Sequence, residues 1–134
     1  MAEMIIRREE DGTISFGNYE LDQKTKVSDF ENAGDIYKVK TFKEITKMEK
    51  NEMFVYESVP GTAVSHMSAD ADGMAFQVEG AQDAQITVGL EEETVYRIFV
   101  DGEDIGTMKT NLGGKLSVNV ELEPGKTVSV KIVK

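Results

Sequence analysis

From Thr94 to Lys134 the sequence TVYRIFVDGEDIGTMKTNLGGKLSVNVELEPGKTVSVKIVK puts apolar residues at every second position and interrupts them with turn dipeptides. Successive side chains of an extended strand point to opposite faces, so a period of two marks strands with one buried face. The stretch therefore reads as four short antiparallel strands joined by tight hairpins. Leu116, Val118, Val120 and Leu122 alternate with Ser117, Asn119 and Glu121, and Val128, Val130 and Ile132 alternate with Ser129 and Lys131, as in half-buried outer strands. Val95 to Val100 carries apolar side chains on both faces and reads as a central strand covered from both sides.

The same rhythm extends towards the N-terminus. Met74, Phe76 and Val78 share one face, as do Ala84, Ile86, Val88 and Leu90. Asp72-Gly73, Asp101-Gly102, Gly113-Gly114 and Pro124-Gly125 supply the turns. Met4 to Phe16 reads as a hairpin with a two-residue type I′ turn at Asp11-Gly12. Asn18 to Phe30 reads as two short strands broken at Asp22-Gln23-Lys24, and Asp35 to Thr41 follows a turn at Asn32-Ala33-Gly34. Over residues 41–50, Thr41 and Glu44 have capping-box spacing and Phe42, Ile45 and Met48 recur at intervals of three. The β-branched content and a hairpin tip at Lys50-Asn51 favour a strand there. Val59-Pro60-Gly61 marks a type II turn with glycine at positive φ, and it is the only plausible seam in a chain expected to form a single domain over residues 1–134. The fold expected is all-β: a two-sheet antiparallel β-sandwich of about nine to twelve strands, because turns recur at short intervals with no long helical period between them.

Composition narrows the chemistry. The chain has no cysteine, so disulfides, thiolate metal sites and a cysteine nucleophile are excluded. Its 25 acidic and 15 basic residues give a net charge of −10, which repels phosphate polyanions. The basic candidates, Arg7-Arg8 and Lys38 to Lys47, are interleaved with carboxylates and apolar residues and read as solvated strand faces. The apolar pair near the N-terminus is shorter than the roughly seven to fifteen residues of a secretory signal, and no run approaches the roughly eighteen of a membrane span. A cytoplasmic protein that engages neither membrane nor nucleic acid is expected.

Residues able to carry chemistry are few. Ser68, Asp70, Asp72, Gly73 and Glu79 have the spacing of a calcium loop, but on flanks of period two Glu79 stands about 20 Å from Gly73, too far to chelate with it. An acidic hairpin turn is the better reading. His66, the single histidine, invites a hydrolase arrangement with Ser65 or Ser68 as nucleophile and Asp70 or Asp72 as orienting acid, yet strand neighbours face opposite ways and no nucleophile elbow is present. Glu91-Glu92-Glu93 and Glu103-Asp104 could supply the paired carboxylates of a glycosidase, but they fall in loops where water keeps them ionised. The chain has no Trp to stack on a sugar ring, and Tyr19, Tyr37, Tyr56 and Tyr96 mostly fit core positions. Gly113-Gly114 joins strands and does not cradle phosphate at a helix start.

The pattern Tyr-x-x-x-Val-Asp-Gly, Ile-Gly-Thr, Thr-Asn, Gly-Lys-Leu-Ser-Val-Asn-Val and Val-Ser-Val-Lys-Ile over Tyr96 to Lys134 resembles the end of immunoglobulin-like or fibronectin-III-like sandwiches of bacterial carbohydrate-associated proteins. Gly73 to Glu93 is similar to the strands preceding it in those modules. The whole chain resembles small uncharacterised proteins of anaerobic gut bacteria, some of which carry an endosialidase label. The resemblance implies an immunoglobulin-like C-terminal half and a carbohydrate as the ligand by analogy. Taken together, the residues assign no catalytic, cofactor-binding or metal site. They point to a non-enzymatic accessory or protein-interaction module that binds a protein partner or itself through strand edges. A carbohydrate-binding module is the alternative, and a small glycosidase-type hydrolase is less favoured.

Overall fold

A computed structural model describes residues 5–134 and contains thirteen strands and no helix among them. The strands are β1 (Ile6–Arg8), β2 (Ile14–Phe16), β3 (Thr25–Asn32), β4 (Asp35–Phe42), β5 (Ile45–Lys50), β6 (Met53–Val59), β7 (Ala63–Asp70), β8 (Gly73–Glu79), β9 (Ala84–Gly89), β10 (Val95–Val100), β11 (Glu103–Lys109), β12 (Lys115–Val120) and β13 (Val128–Val133). They form a seven-stranded sheet in the order β1-β2-β7-β8-β13-β10-β11 and a six-stranded sheet in the order β12-β9-β6-β5-β4-β3. Every pairing is antiparallel, and the two sheets pack as a β-sandwich. Among the described residues no helix is long and apolar enough to cross a membrane.

The period of two is what makes the sandwich. Met74, Phe76 and Val78 of β8, Val128, Val130 and Ile132 of β13, and Ile86 and Val88 of β9 are all buried, while the residues between them are turned outward. Residues 41–50 obey the same rule as the end of β4 and the whole of β5, so the strand reading holds. Turn chemistry is right where two residues must both take positive φ. Ala33 (52°) and Gly34 (85°) close β3 onto β4, and Asp101 (50°) and Gly102 (80°) close β10 onto β11, as type I′ geometry requires.

Several boundaries differ from the sequence reading. The C-terminal third is not a run of hairpins: of its successive strands only β10 and β11 pair with each other, and β13 returns to pair with β10. Gly113-Gly114 carries the chain from the edge of one sheet to the edge of the other, and Pro124-Gly125 lies on the return path, which slots β13 between β8 and β10. A turn residue records that the chain reverses, not which sheet receives it. β13 is accordingly an interior strand, although β12 is an outer one as expected. β10 is covered from one side only, since Val95 is 54% exposed. Residues 18–24 are not a strand, and a single strand, β3, replaces the two expected. The first hairpin has a five-residue connection from Glu9 to Thr13 instead of a two-residue turn at Asp11-Gly12, and Met4, its predicted start, lies outside the described residues. The β5–β6 tip is Asn51-Glu52 and the β7–β8 tip Ala71-Asp72, each displaced by one residue from the dipeptide expected. The Val59–Pro60 peptide is cis, and Gly61 does not take positive φ. Glycine is needed at 61 for another reason: a Cβ there would lie 2.0 Å from the carbonyl oxygen of Phe42.

One core joins the sheets. The Phe16 and Phe76 rings, from the seven-stranded sheet, meet Tyr56 of β6 edge-on, with centroids 5.3 and 5.6 Å away. Beside this trio lies a buried hydroxyl network of Thr41, Thr46, Ser58 and Thr62, each with no exposed surface. The Thr62 hydroxyl is 2.7 Å from the Tyr56 hydroxyl and 2.8 Å from that of Ser58. The Thr46 hydroxyl donates to the Thr62 carbonyl at 2.8 Å and lies 2.8 Å from Thr41 Oγ1. Thr41 Oγ1 in turn accepts the Asn18 amide at 2.9 Å. Burial pushes the Tyr56 phenol well above its ordinary pKa, against the opposing pull of Thr62 and Ser58, so it stays a neutral donor.

Thr62→Val should therefore cost more than a lost methyl contact. It leaves the Tyr56 and Ser58 hydroxyls short of a buried partner, and chemical denaturation should show a loss of about 2–4 kcal/mol. The Tyr56→Phe/Thr62→Val pair should lose less than the sum of the two single changes, because they remove the same bond.

Candidate functional site

His66 sits in a bulge of β7, between Ser65 and Ser68, where the register against β8 shifts. Its φ of 52° swings the side chain away from those serines and towards the β1–β2 connection. Nδ1 lies 3.2 Å from both Asp11 Oδ2 and Thr13 Oγ1, and Nε2 is 3.7 Å from Glu9 Oε2. The Ser15 hydroxyl donates to Glu9 at 2.5 Å and accepts the His66 backbone amide at 3.1 Å. Arg7 closes the group with an ion pair to Glu9 at 3.2 Å.

The triad considered from the sequence is not assembled. Among the described residues neither Ser65 nor Ser68 hydrogen-bonds His66, and Asp70 is occupied in accepting the Asp72 amide at 2.8 Å across the hairpin tip. Ser15, the serine the structure does bring near, is 1% exposed and directs its proton at a carboxylate, not at an imidazole nitrogen. What the group can do is tie the β1–β2 loop to the bulge. The bond from Ser15 comes first among the causes that hold the Glu9 carboxyl below its ordinary pKa, and the bond from the Thr13 hydroxyl does the same for Asp11.

The calcium-like spacing proves to be the β7–β8 hairpin. Asp70 pairs with Gly73 at the tip and Glu79 pairs with Ala63 at the far end, six residues along the strand. Among the described residues no set of three or more His, Asp or Glu side chains is placed to hold a metal. Glu91 stays in a connection and meets the Lys134 ammonium at 2.9 Å, whereas Glu103 and Asp104 open strand β11 instead of lying in a loop, and Asp104 meets Arg97 at 2.8 Å and caps the Gly106 amide at 2.9 Å. Glu92, Glu93 and Glu103 are exposed to water. Tyr56, Tyr96 and Tyr37 are buried in the core, and Tyr19 is half-buried, so no exposed tyrosine face offers a sugar platform.

The strand edges differ sharply among themselves. An edge presents unpaired backbone groups and must be blunted or paired. β1 has three residues, and Arg8 reaches across to the Glu31 carbonyl of β3 while its guanidinium lies 4.6 Å above the Phe30 ring, which closes that side of the sandwich. β3 is also bulged at Ser28-Asp29 and carries Lys26, Asp29 and Glu31. β11 is bulged opposite Ile98 and Phe99 and carries Glu103, Asp104 and Lys109.

β12 has none of these devices. It pairs with β9 over six residues with no register shift, and its middle, Leu116 to Val120, is uncharged. The Gly114 carbonyl accepts the Leu90 amide beside β9, whereas the Lys115 amide and carbonyl turn the other way to the Asn111 side chain and backbone, at 2.9 and 3.0 Å. By alternation the amides and carbonyls of Ser117 and Asn119 also point away from β9, with no strand beside them. The sequence reading missed this edge because it took β12 for a hairpin partner of its chain neighbours.

The chain matches no family model, no curated protein and no solved structure.

The carboxylates around His66 generate a pH prediction. Their folded pKa values lie below the unfolded ones, so their contribution is present above the unfolded values and is lost as pH falls through the folded ones. The denaturation midpoint should fall on acidification below the ordinary glutamate value of 4.5. Glu9→Gln should flatten that decline, as read from urea midpoints across the acid range.

Proposed function

We propose that the protein is a non-enzymatic interaction module and that the partner taken by its β12 edge is a second copy of the same chain. The observation that carries this is the self-complementarity of the free edge. In an antiparallel pairing centred on Val118, Ser117 stands opposite Asn119 of the second copy, so both residues meet with their free amides and carbonyls facing one another. Two such residue pairs exchange about four backbone hydrogen bonds. Leu116 falls opposite Val120 on the buried face, and the pairing stops at each end where Asn111 already holds the outward amide and carbonyl of Lys115, whose ammonium lies 4.4 Å from the Phe54 ring centroid on the side away from the edge.

The pairing joins two six-stranded sheets across a two-fold axis and leaves no straight, uncharged edge open to a third copy. That accounts for a closed dimer in place of a fibre.

Sedimentation velocity over a concentration series tests the reading. The native chain should approach twice the protomer mass as concentration rises. Asn119→Pro removes one outward amide from each residue pair and should shift the chain to monomer, whereas Asn119→Thr keeps that amide and should leave the dimer. A native chain that remains monomeric throughout, or an Asn119→Pro variant that melts normally and still dimerises, would overturn the proposal.

A further inference from the structure

The outer face of the β3–β4–β5 corner carries a second feature that owes nothing to the β12 edge, three to five strands away in the same sheet. Lys26 of β3 stands directly opposite Lys40 of β4, and Lys40 directly opposite Lys47 of β5. Three ammonium-bearing residues thus lie in one row across three strands, within roughly 10 Å at ordinary strand spacing. Lys38 lies two residues from Lys40 on the same face, and Lys24 extends the group towards Phe42, its ammonium 5.8 Å from the ring centroid.

Such a row repels itself. Like charges directly opposite across a sheet are destabilising, and this chain has carboxylates to spare, with 25 acidic residues against 15 basic ones. Yet among the described residues Lys24, Lys26, Lys38 and Lys40 make no ion pair, and Lys47 has only a long contact of 3.9 Å to Glu49. Partial burial, followed by the fields of Lys24, Lys47 and Lys26, pushes the Lys40 ammonium below its ordinary pKa. The lysines are not spread over a flat surface. Lys26, Lys38, Lys40 and Lys47 line a cleft of about 120 Å³ with Glu49, and Lys38 and Glu49 also border a wider groove of about 740 Å³ that runs to the β3 bulge at Asp29.

We infer that this cleft binds a compact ligand carrying two adjacent phosphate groups. Diphosphate chemistry fits because four ammonium groups, each a compact point charge, stand roughly one strand spacing apart and can meet the oxygens of two adjacent phosphates, with the Glu49 carboxylate bounding the cleft. Its extent argues for a small molecule and against a nucleic acid strand. The row ends at Glu57, opposite Lys47, with Asp29 and Glu31 further along β3, and these carboxylates bound the positive field on either side.

The test is thermal unfolding at low ionic strength with inorganic pyrophosphate, with orthophosphate, with a disulfated disaccharide and with a short single-stranded DNA, each at matched ionic strength. Pyrophosphate should raise the melting temperature saturably and more than orthophosphate. Lys26→Gln/Lys40→Gln should abolish that response while melting no lower than the native chain, since it relieves the repulsion. Titration calorimetry should show pyrophosphate binding at least about tenfold weaker in the variant. No response to pyrophosphate, an equal response in the variant, a variant that melts lower without ligand, or a larger response to the sulfated sugar or the DNA would each overturn the proposal. Because β12 is untouched by these changes, sedimentation of the same variant separates this result from the dimer.

Discussion

The hydroxyl network around Thr62 is the point on which the two sheets depend. Thr62 lies in the short connection by which the chain leaves the six-stranded sheet at β6 and enters the seven-stranded sheet at β7. A sheet-to-sheet crossing buries backbone groups that no ladder can satisfy, and buried polar groups left unpaired are costly. Here the Thr62 amide and carbonyl both go to the Thr46 hydroxyl, and its own hydroxyl goes to Tyr56 and Ser58. The crossing is thereby fixed against β5 and β6, and Tyr56 is held where Phe16 and Phe76 can pack on it edge-on. The backbone around it leaves room for nothing larger than glycine: a Cβ at Gly17 would lie 2.5 Å from the Thr62 carbonyl oxygen.

With the interior settled in this way, the surface is divided by the sheet's own geometry. The core face of the six-stranded sheet is held by the network and the aromatic trio, so its outer face and its two edges are free to differ. The β3 end is bulged, charged and latched by Arg8, and just inside it the lysine row forms. The β12 end is straight and neutral, with backbone groups facing outward. Each surface owes its character to the position of its strand in the sheet order, and neither needs a movable loop or a buried charge.

That order is where legibility in the sequence stops. Period two gave the class, the inward residues of β8, β9, β12 and β13, and the strand character of residues 41–50, because alternation is a local property of one strand. Positive-φ turns were legible at Ala33-Gly34 and Asp101-Gly102 for the same reason. The crossing at Gly113-Gly114, the interior place of β13 and the free edge of β12 depend on which strands meet across the sandwich, and no local pattern carries that. His66 shows the same limit, since its partners Glu9, Asp11, Thr13 and Ser15 are more than fifty residues away in the chain. The lysines are the sharpest case. Interleaved with apolar residues and carboxylates in the sequence, Lys38, Lys40 and Lys47 look diluted, yet alternation turns the apolar residues inward and register brings Lys26 up beside them.

The central claim is that, of the four strand edges, β12 is the one built to be paired. Amide hydrogen exchange resolved by residue is its most direct measurement. Leu116, Val118 and Val120, turned towards β9, should be protected at every concentration, while Ser117 and Asn119 should exchange quickly in dilute solution and become protected as the chain is concentrated. Rapid exchange of Ser117 and Asn119 at all concentrations, with their neighbours protected, would contradict it.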